Sequence, residues 1–163
     1  MSATNIFGSY DVRGVYGKDL SDEDAHAIAL AFAKIVGKKT VKIVVGRDNR
    51  LSSPALFNEF TRGLLETGKQ VTDVGVVPTP VLYYATAFLN ADGGAMITAS
   101  HNPAEYNGIK LCKQTMPLST KEMKKLEQAF AGKKFGKIQK DVISVLKTTS
   151  VDSEYAKHVR LLT

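Results

Sequence analysis

The apolar positions of the chain fall into short β-branched runs separated by stripes at helical spacing. Val41 to Val45, Val71 to Val74 and Ala95 to Ile97 read as strands, the last entered through Asp92-Gly93-Gly94. Between and before them, Ile28, Phe32, Ile35 and Val36, then Leu56, Phe60 and Leu64, then Leu82, Tyr83, Ala85, Thr86, Phe88 and Leu89 recur as helix faces. Ser21 ahead of Asp22, Glu23 and Asp24 predicts a capped first helix, and Ser52 or Ser53 with Pro54 predicts a cap for the second. Gly37 and Gly68 are the matching stop signals. Val77-Pro78-Thr79-Pro80 is a stiff loop leading into the third helix, and Ser119 caps a fourth with Met123, Leu126 and Phe130 on its inner face. Val142 to Leu146 predicts one more strand, and Asp152 or Ser153 begins a last helix with Tyr155, Val159 and Leu162.

Near the start, residues 6–17 read as an extended segment rich in turns. After the Ala95 strand, Asn107-Gly108 is a strong turn signal and Ile109-Lys110-Leu111 a return strand. Alternating strands and helices predict a three-layer α/β/α domain, and the turn-linked strand pair makes its sheet mixed, mostly parallel.

Composition narrows the class. The chain has 163 residues, 44% hydrophobic and 23% charged, which suits one soluble globular domain with a sizeable core. Its first residues lack the basic and apolar regions of a signal peptide. The single cysteine, Cys112, lies in an apolar strand and reads as a buried structural thiol, so a reducing cytoplasm is expected. Net charge is +6, with Lys133, Lys134, Lys137 and Lys140 clustered near the C-terminal end. That cluster reads as a solvated face. The chain has no Trp and no aromatic residues interleaved with basic ones for base stacking, so nucleic acid is not the expected partner. Tyr83 and Tyr84 read as core packing, and His26 as structural or exposed.

The candidate chemistry sits in the polar stretch after the Ala95 strand. Thr98-Ala99-Ser100-His101-Asn102 precedes Pro103, which forces residue 102 away from helix. Ligands of open α/β sheets bind beyond the carboxyl ends of strands. A serine beside a histidine invites a hydrolase reading. However, neighbours on an extended chain point to opposite faces, which places His101 poorly as a base for Ser100, and the Gly-x-Ser-x-Gly elbow is absent. Lys110 is the better proton carrier, folded back toward Ser100 by the Asn107-Gly108 turn. Arg13 beside Gly14 presents a fork for an anion. Asp48, Arg47 and Arg50 read either as a functional cluster or as ion pairs that fix their own loop; the second reading is preferred for Asp48 and the arginines stay undecided.

Thr98-Ala99-Ser100-His101-Asn102-Pro103 followed by Tyr106-Asn107-Gly108-Ile109-Lys110 resembles the active-site serine loop of the α-D-phosphohexomutases, in their bacterial phosphomannomutase/phosphoglucomutase branch. Tyr10-Asp11-Val12-Arg13-Gly14, Val45-Gly46-Arg47-Asp48-Asn49-Arg50-Leu51-Ser52 and Val74-Gly75-Val76-Val77-Pro78-Thr79-Pro80 agree with it in order. The resemblance covers nearly the whole chain and corresponds to the first of that family's four domains, the one carrying the catalytic serine. It implies that the chain is one part of a longer protein, in keeping with an apparent helix running to Thr163.

The resemblance further implies that Ser100 carries a phosphoryl group and exchanges it with a hexose 1- or 6-phosphate (mannose or glucose) through a hexose 1,6-bisphosphate. Lys110 would be the general acid/base with His101 assisting, and Tyr10, Arg13 and Asn102 would contact substrate or phosphate. Mg²⁺ would bind Ser100 through its phosphate. The Asp-Gly-Asp-Gly-Asp metal loop of the family is absent from this sequence. The isolated chain is therefore expected to be inactive, completed by the remaining mutase domains. A phosphosugar-binding module without catalysis and a serine hydrolase are the alternatives.

Overall fold

The computed structural model describes residues 6–37, 41–133, 135 and 146–162. In chain order the elements are β1 (Asp11–Val15), α1 (Asp22–Val36), β2 (Lys42–Arg47), α2 (Ser53–Glu66), β3 (Gln70–Val76), α3 (Thr79–Phe88), β4 (Gly93–Ile97), β5 (Tyr106–Lys113), β6 (Met116–Pro117), α4 (Thr120–Ala131), β7 (Leu146–Thr148) and α5 (Asp152–Arg160). The sheet runs β1-β5-β4-β2-β3-β7, with β6 added to β5. β2 pairs in parallel with β3 and β4, and β3 with β7. β5 pairs antiparallel with β1, β4 and β6, so it alone among the described strands runs against the rest. The expected mixed, mostly parallel α/β/α sheet is what the chain forms.

Alternation along the strands sorts the core into two layers. Val12, Ile43, Val45, Ala95, Ile97, Ile109 and Leu111 face one side and pack with Ile28, Phe32, Phe60, Leu64, Met123 and Leu126 of α1, α2 and α4. Val44, Val74 and Met96 face the other side and pack with Val81, Leu82 and Ala85 of α3. α1 and α2 meet closely at Gly63, where a Cβ would lie 2.7 Å from the His26 carbonyl oxygen. The same contact is flanked by a hydrogen-bond contact of His26 with Glu66, 2.8 Å apart, which gives that histidine its structural role. Tyr84 stacks on Phe88 and meets Tyr155 edge-on, which fastens α5 to α3 as core packing would.

The caps explain where two helices begin. Ser21 and Asp24 form a capping box on α1, and Ser119 and Glu122 form one on α4. α2 differs from expectation. Ser52 occupies its cap position in helical backbone and makes no side-chain bond to the helix amides. Its hydroxyl instead accepts the Asn107 side-chain amide at 2.8 Å, and the Ser53 hydroxyl accepts the same amide at 3.0 Å.

That pairing also corrects the Asn107-Gly108 reading. Both residues lie inside β5, neither has a positive φ, and the connection from β4 is made by residues 98–105. Asn107 is fully buried and its own Oδ1 accepts the Gly108 amide at 2.8 Å. A Cβ at Gly108 would run into the carbonyl oxygen of Val12 on β1. The pair serves strand packing, not a turn. The predicted Val142 to Leu146 strand falls on residues 142–145, which lie outside those described; β7 begins at Leu146. Lys134, Lys137 and Lys140 also lie outside them, while Lys133 is exposed.

Candidate active site

β4 ends at Ile97 and the chain leaves the sheet beside the carboxyl end of β2, where the Asp48 amide donates to the Ile97 carbonyl oxygen at 2.9 Å. Thr98 still donates its amide to Gly108 O on β5, so the loop starts from a fixed point. Two residues on, Ser100 turns into the left-handed region with φ +59°. For a residue with a Cβ this costs about 1–2 kcal/mol, so it persists only where neighbours impose it. Thr98 contributes one restraint, its Oγ1 accepting the Ser100 amide at 2.9 Å. Arg50 contributes the others, donating to the carbonyl oxygens of Ser100, Asn102, Pro103 and Tyr106 at 2.6–3.0 Å. The result is an exposed serine hydroxyl on a tightly held loop.

This backbone turn overturns the geometric argument against a Ser100–His101 contact. Ser100 is not extended, and its Oγ lies 3.2 Å from His101 Nδ1. His101 is exposed, and among the described residues no carboxylate pairs with its ring to orient it as a triad base.

A second polar group lies on β1 and β5. Asp11 and Arg13 are two apart on one strand, so they share a face, and Lys110 is the cross-strand partner of Asp11. Arg13 Nη2 and Lys110 Nζ both bond the same oxygen, Asp11 Oδ2, at 2.6 and 3.1 Å. Two cations sharing one carboxylate leave an excess positive charge on a partly exposed surface. The register puts Lys110 opposite Met96, whose side belongs to the α3 layer; α3 lies over β2 and β4, so β1 and β5 carry this charged row on the same face.

The predicted residues therefore fall into two groups. Ser100 and His101 touch each other, and Asn102 joins them through its carbonyl on Arg50. Arg13 and Lys110 meet through Asp11, and Lys110 is not folded against Ser100, because residues 98–105 make the connection and Lys110 stays within the strand. Among the described residues no hydrogen bond or ion pair joins the two groups. Tyr10 stands at the amino end of β1, 65% exposed, on the far side of Asp11 from the loop. Two participants were not assigned from sequence. Asp11 could have been found from its spacing to Arg13 on one strand face. Arg50 stayed undecided from sequence: its pairing with Asp48 is local, but the carbonyl groups it gathers are 50 to 56 positions away. Asp48 fixes its own loop as preferred, pairing with Arg50 at 3.0 Å, while Arg47 pairs with Asp73 and lies over the Phe57 ring.

The described residues contain no group of three His, Cys, Asp or Glu side chains placed to hold a metal ion. Asp11, the carboxylate of the charged row, is committed to Arg13 and Lys110. The donors among the described residues do not by themselves make a Mg²⁺ site. No described helix is long and apolar enough to cross a membrane.

Residues 4–137 match the family described as phosphoglucomutase/phosphomannomutase, alpha/beta/alpha domain I. A phosphoglucomutase/phosphomannomutase of Thermococcus kodakarensis is 38% identical over 95% of this chain and 35% of its own length. A phosphomannomutase/phosphoglucomutase of Pseudomonas aeruginosa is 42% identical over 76% of this chain and 27% of its own. The crystal structure of a phosphoglucomutase/phosphomannomutase family protein from Burkholderia thailandensis superposes with a TM-score of 0.85 at 32% identity, covering 98% of this chain and 36% of that one. The chain thus spans about a third or less of the length of these relatives. The serine loop on its clamped turn, the sheet order that supports it and this span of similarity together place the chain in the phosphoglucomutase/phosphomannomutase family, as its alpha/beta/alpha domain I.

Proposed function

We propose that this chain is the serine-bearing wall of a phosphosugar mutase site, in which Ser100 carries the phosphoryl group between the 1- and 6-positions of a hexose phosphate. The observation that carries the reading is the exposed Ser100 hydroxyl, held in a left-handed turn that its surroundings impose. In the first step a substrate hydroxyl oxygen bonds to phosphorus, the bond from phosphorus to Ser100 Oγ breaks, and a hexose 1,6-bisphosphate results. The hydroxyl proton needs an acceptor and Ser100 Oγ needs a donor. Lys110, acting as the neutral amine, is proposed for the first role, and His101, 3.2 Å from that oxygen, suits the second. The second step runs in reverse with the other phosphate. Transfer of this kind rests on positioning and charge stabilisation. A phosphoserine brings about −1.5 to −2 charges, and the Arg13–Asp11–Lys110 row, which carries an excess cation while Lys110 holds its proton, offsets part of that. Tyr10 and Asn102 are proposed as substrate contacts.

Mg²⁺ would supply the remaining charge neutralisation. Ser100, through its phosphate, is the ligand this chain offers, so the other ligands and the remaining walls must come from the other domains of a longer protein. The chain by itself is proposed to be inactive, and which hexose phosphate is preferred is set outside it.

The test uses the complete gene product with hexose 1,6-bisphosphate. Phosphate should appear on Ser100 in mass spectra, and Ser100→Ala should lower mutase turnover by at least about 10³-fold. Undiminished turnover in that variant would sink the reading. Hexose phosphate binding with no transfer would favour a binding module instead. The Ser100–His101 contact also warrants a fluorophosphonate probe, and labelling of Ser100 would favour a hydrolase.

A further inference from the structure

We infer that Arg50 is the positioning residue of the Ser100 loop, and that it acts through the shape of its guanidinium, not through its charge. The inference rests on the mutase reading for its kinetic consequence and on geometry alone for its structural one. A guanidinium has five N–H donors and an ammonium three. In Arg50 all five are used: Nη1 on Pro103 O and Tyr106 O, Nη2 on Ser100 O and Asn102 O, and Nε on Asp48 Oδ2. With every donor committed and the side chain only 12% exposed, Arg50 has nothing left for a substrate phosphate unless the loop opens.

Its charge is already answered by Asp48, itself held by the Arg50 amide at 3.1 Å and by the Ser53 hydroxyl. What remains is a planar fork that gathers four carbonyl groups from both limbs of the loop. One of these is the carbonyl of Ser100 itself, 3.0 Å away, so the fork fixes the peptide that orients the hydroxyl. The Asp48 amide on Ile97 O ties the clamp to the end of β4, so loop and strand are referenced to one point.

Arg50→Lys keeps the charge and the aliphatic stem but cannot span four carbonyls, and it is the decisive variant if Arg50→Ala does not fold. Two readouts are taken. In this chain, the amides of Ser100, Asn102 and Tyr106, which close the loop's turns, should exchange at least about tenfold faster in the Lys variant, with β2 and β4 amides unchanged. In the complete gene product, kcat should fall about 10²-fold with KM within about twofold, because a misplaced nucleophile costs rate without weakening ground-state binding. A Lys variant with wild-type kcat, or a loss confined to KM, would overturn the inference. If the wild-type protein places no phosphate on Ser100, the mutase reading fails by itself. The exchange measurement then decides the clamp, and unchanged loop exchange overturns it.

Discussion

At the scale of single residues, the chain separates groups kept exposed from groups kept buried. Ser100 is exposed in a backbone conformation that side chains disfavour, while Cys112, twelve positions later on β5, is 1% exposed. Burial pushes the Cys112 thiol up to about 11 from a reference of 9.0. A thiol raised in this way adds stability that is fully present below pH 9 and is lost as pH rises through about 11. The lost contribution is roughly 3 kcal/mol at most. Urea titrations of wild type and Cys112→Ala across this range should therefore converge above pH 11 relative to their difference at pH 8. A constant difference would show that the thiol titrates normally. At pH 8 a thiol reagent should label the unfolded chain and leave the folded one almost untouched. The charged row behaves differently: Asp11, Arg13 and Lys110 stay partly exposed, with side-chain exposures of 20%, 27% and 27%, which leaves them open to an incoming anion.

At the scale of elements, two serines that look alike in sequence do different work. Ser119 bonds the amide of Glu122 and closes a capping box, so Ser119→Ala should cost about 1 kcal/mol, read from the urea midpoint. Ser52 precedes α2 in the same way but holds Asn107 of β5 instead. Ser52→Ala and Asn107→Ala should thus be coupled in a double-mutant cycle by at least about 0.5 kcal/mol, while Ser119→Ala adds independently to either. Additivity of the Ser52 and Asn107 effects would remove the proposed link between α2 and β5. The same comparison shows why capping chemistry was readable for α1 and α4. Those boxes close within three residues, whereas the partner that captures Ser52 lies 55 positions away.

At the scale of the whole molecule, the sheet separates two packing layers of unequal depth. The layer under α1, α2 and α4 holds the ring pair Phe32 and Phe60, both fully buried with centroids 6.4 Å apart. Phe60→Ala should cost about 3–5 kcal/mol, the range for removing a fully buried aromatic ring. On the opposite layer Phe88 is 52% exposed against Tyr84, and Phe88→Ala should cost about 1 kcal/mol or less. Thermal or urea unfolding of the two variants checks the contrast, and equal losses would mean that the α3 and α5 layer carries as much of the stability. This asymmetry bears on the site. The deeper layer supports the sheet from behind, and the charged row on β1 and β5 stands on the other face, the one that α3 covers over β2 and β4.

Local periodicity determined much of this protein. Strands, helices, two of the caps, the buried Cys112 and the mixed sheet follow from spacing and from hydrogen bonds that close within a few residues. The serine loop was legible as a polar break at the end of an apolar strand. Long-range partners were not. Asn107-Gly108 has the composition of a turn, yet buried hydroxyls from α2 and the close approach of β1 hold it in a strand. An extended chain would turn Ser100 and His101 away from each other, but Thr98 with Arg50 holds Ser100 left-handed and brings the two together. The role of Arg50 itself stayed undecided, since four distant carbonyl groups become one site only when β2, β4 and the loop are brought to the same end of the sheet. Side-chain period is a property of neighbours along the chain; a guanidinium's full set of partners is a property of the folded surface, and only the tertiary structure could supply it.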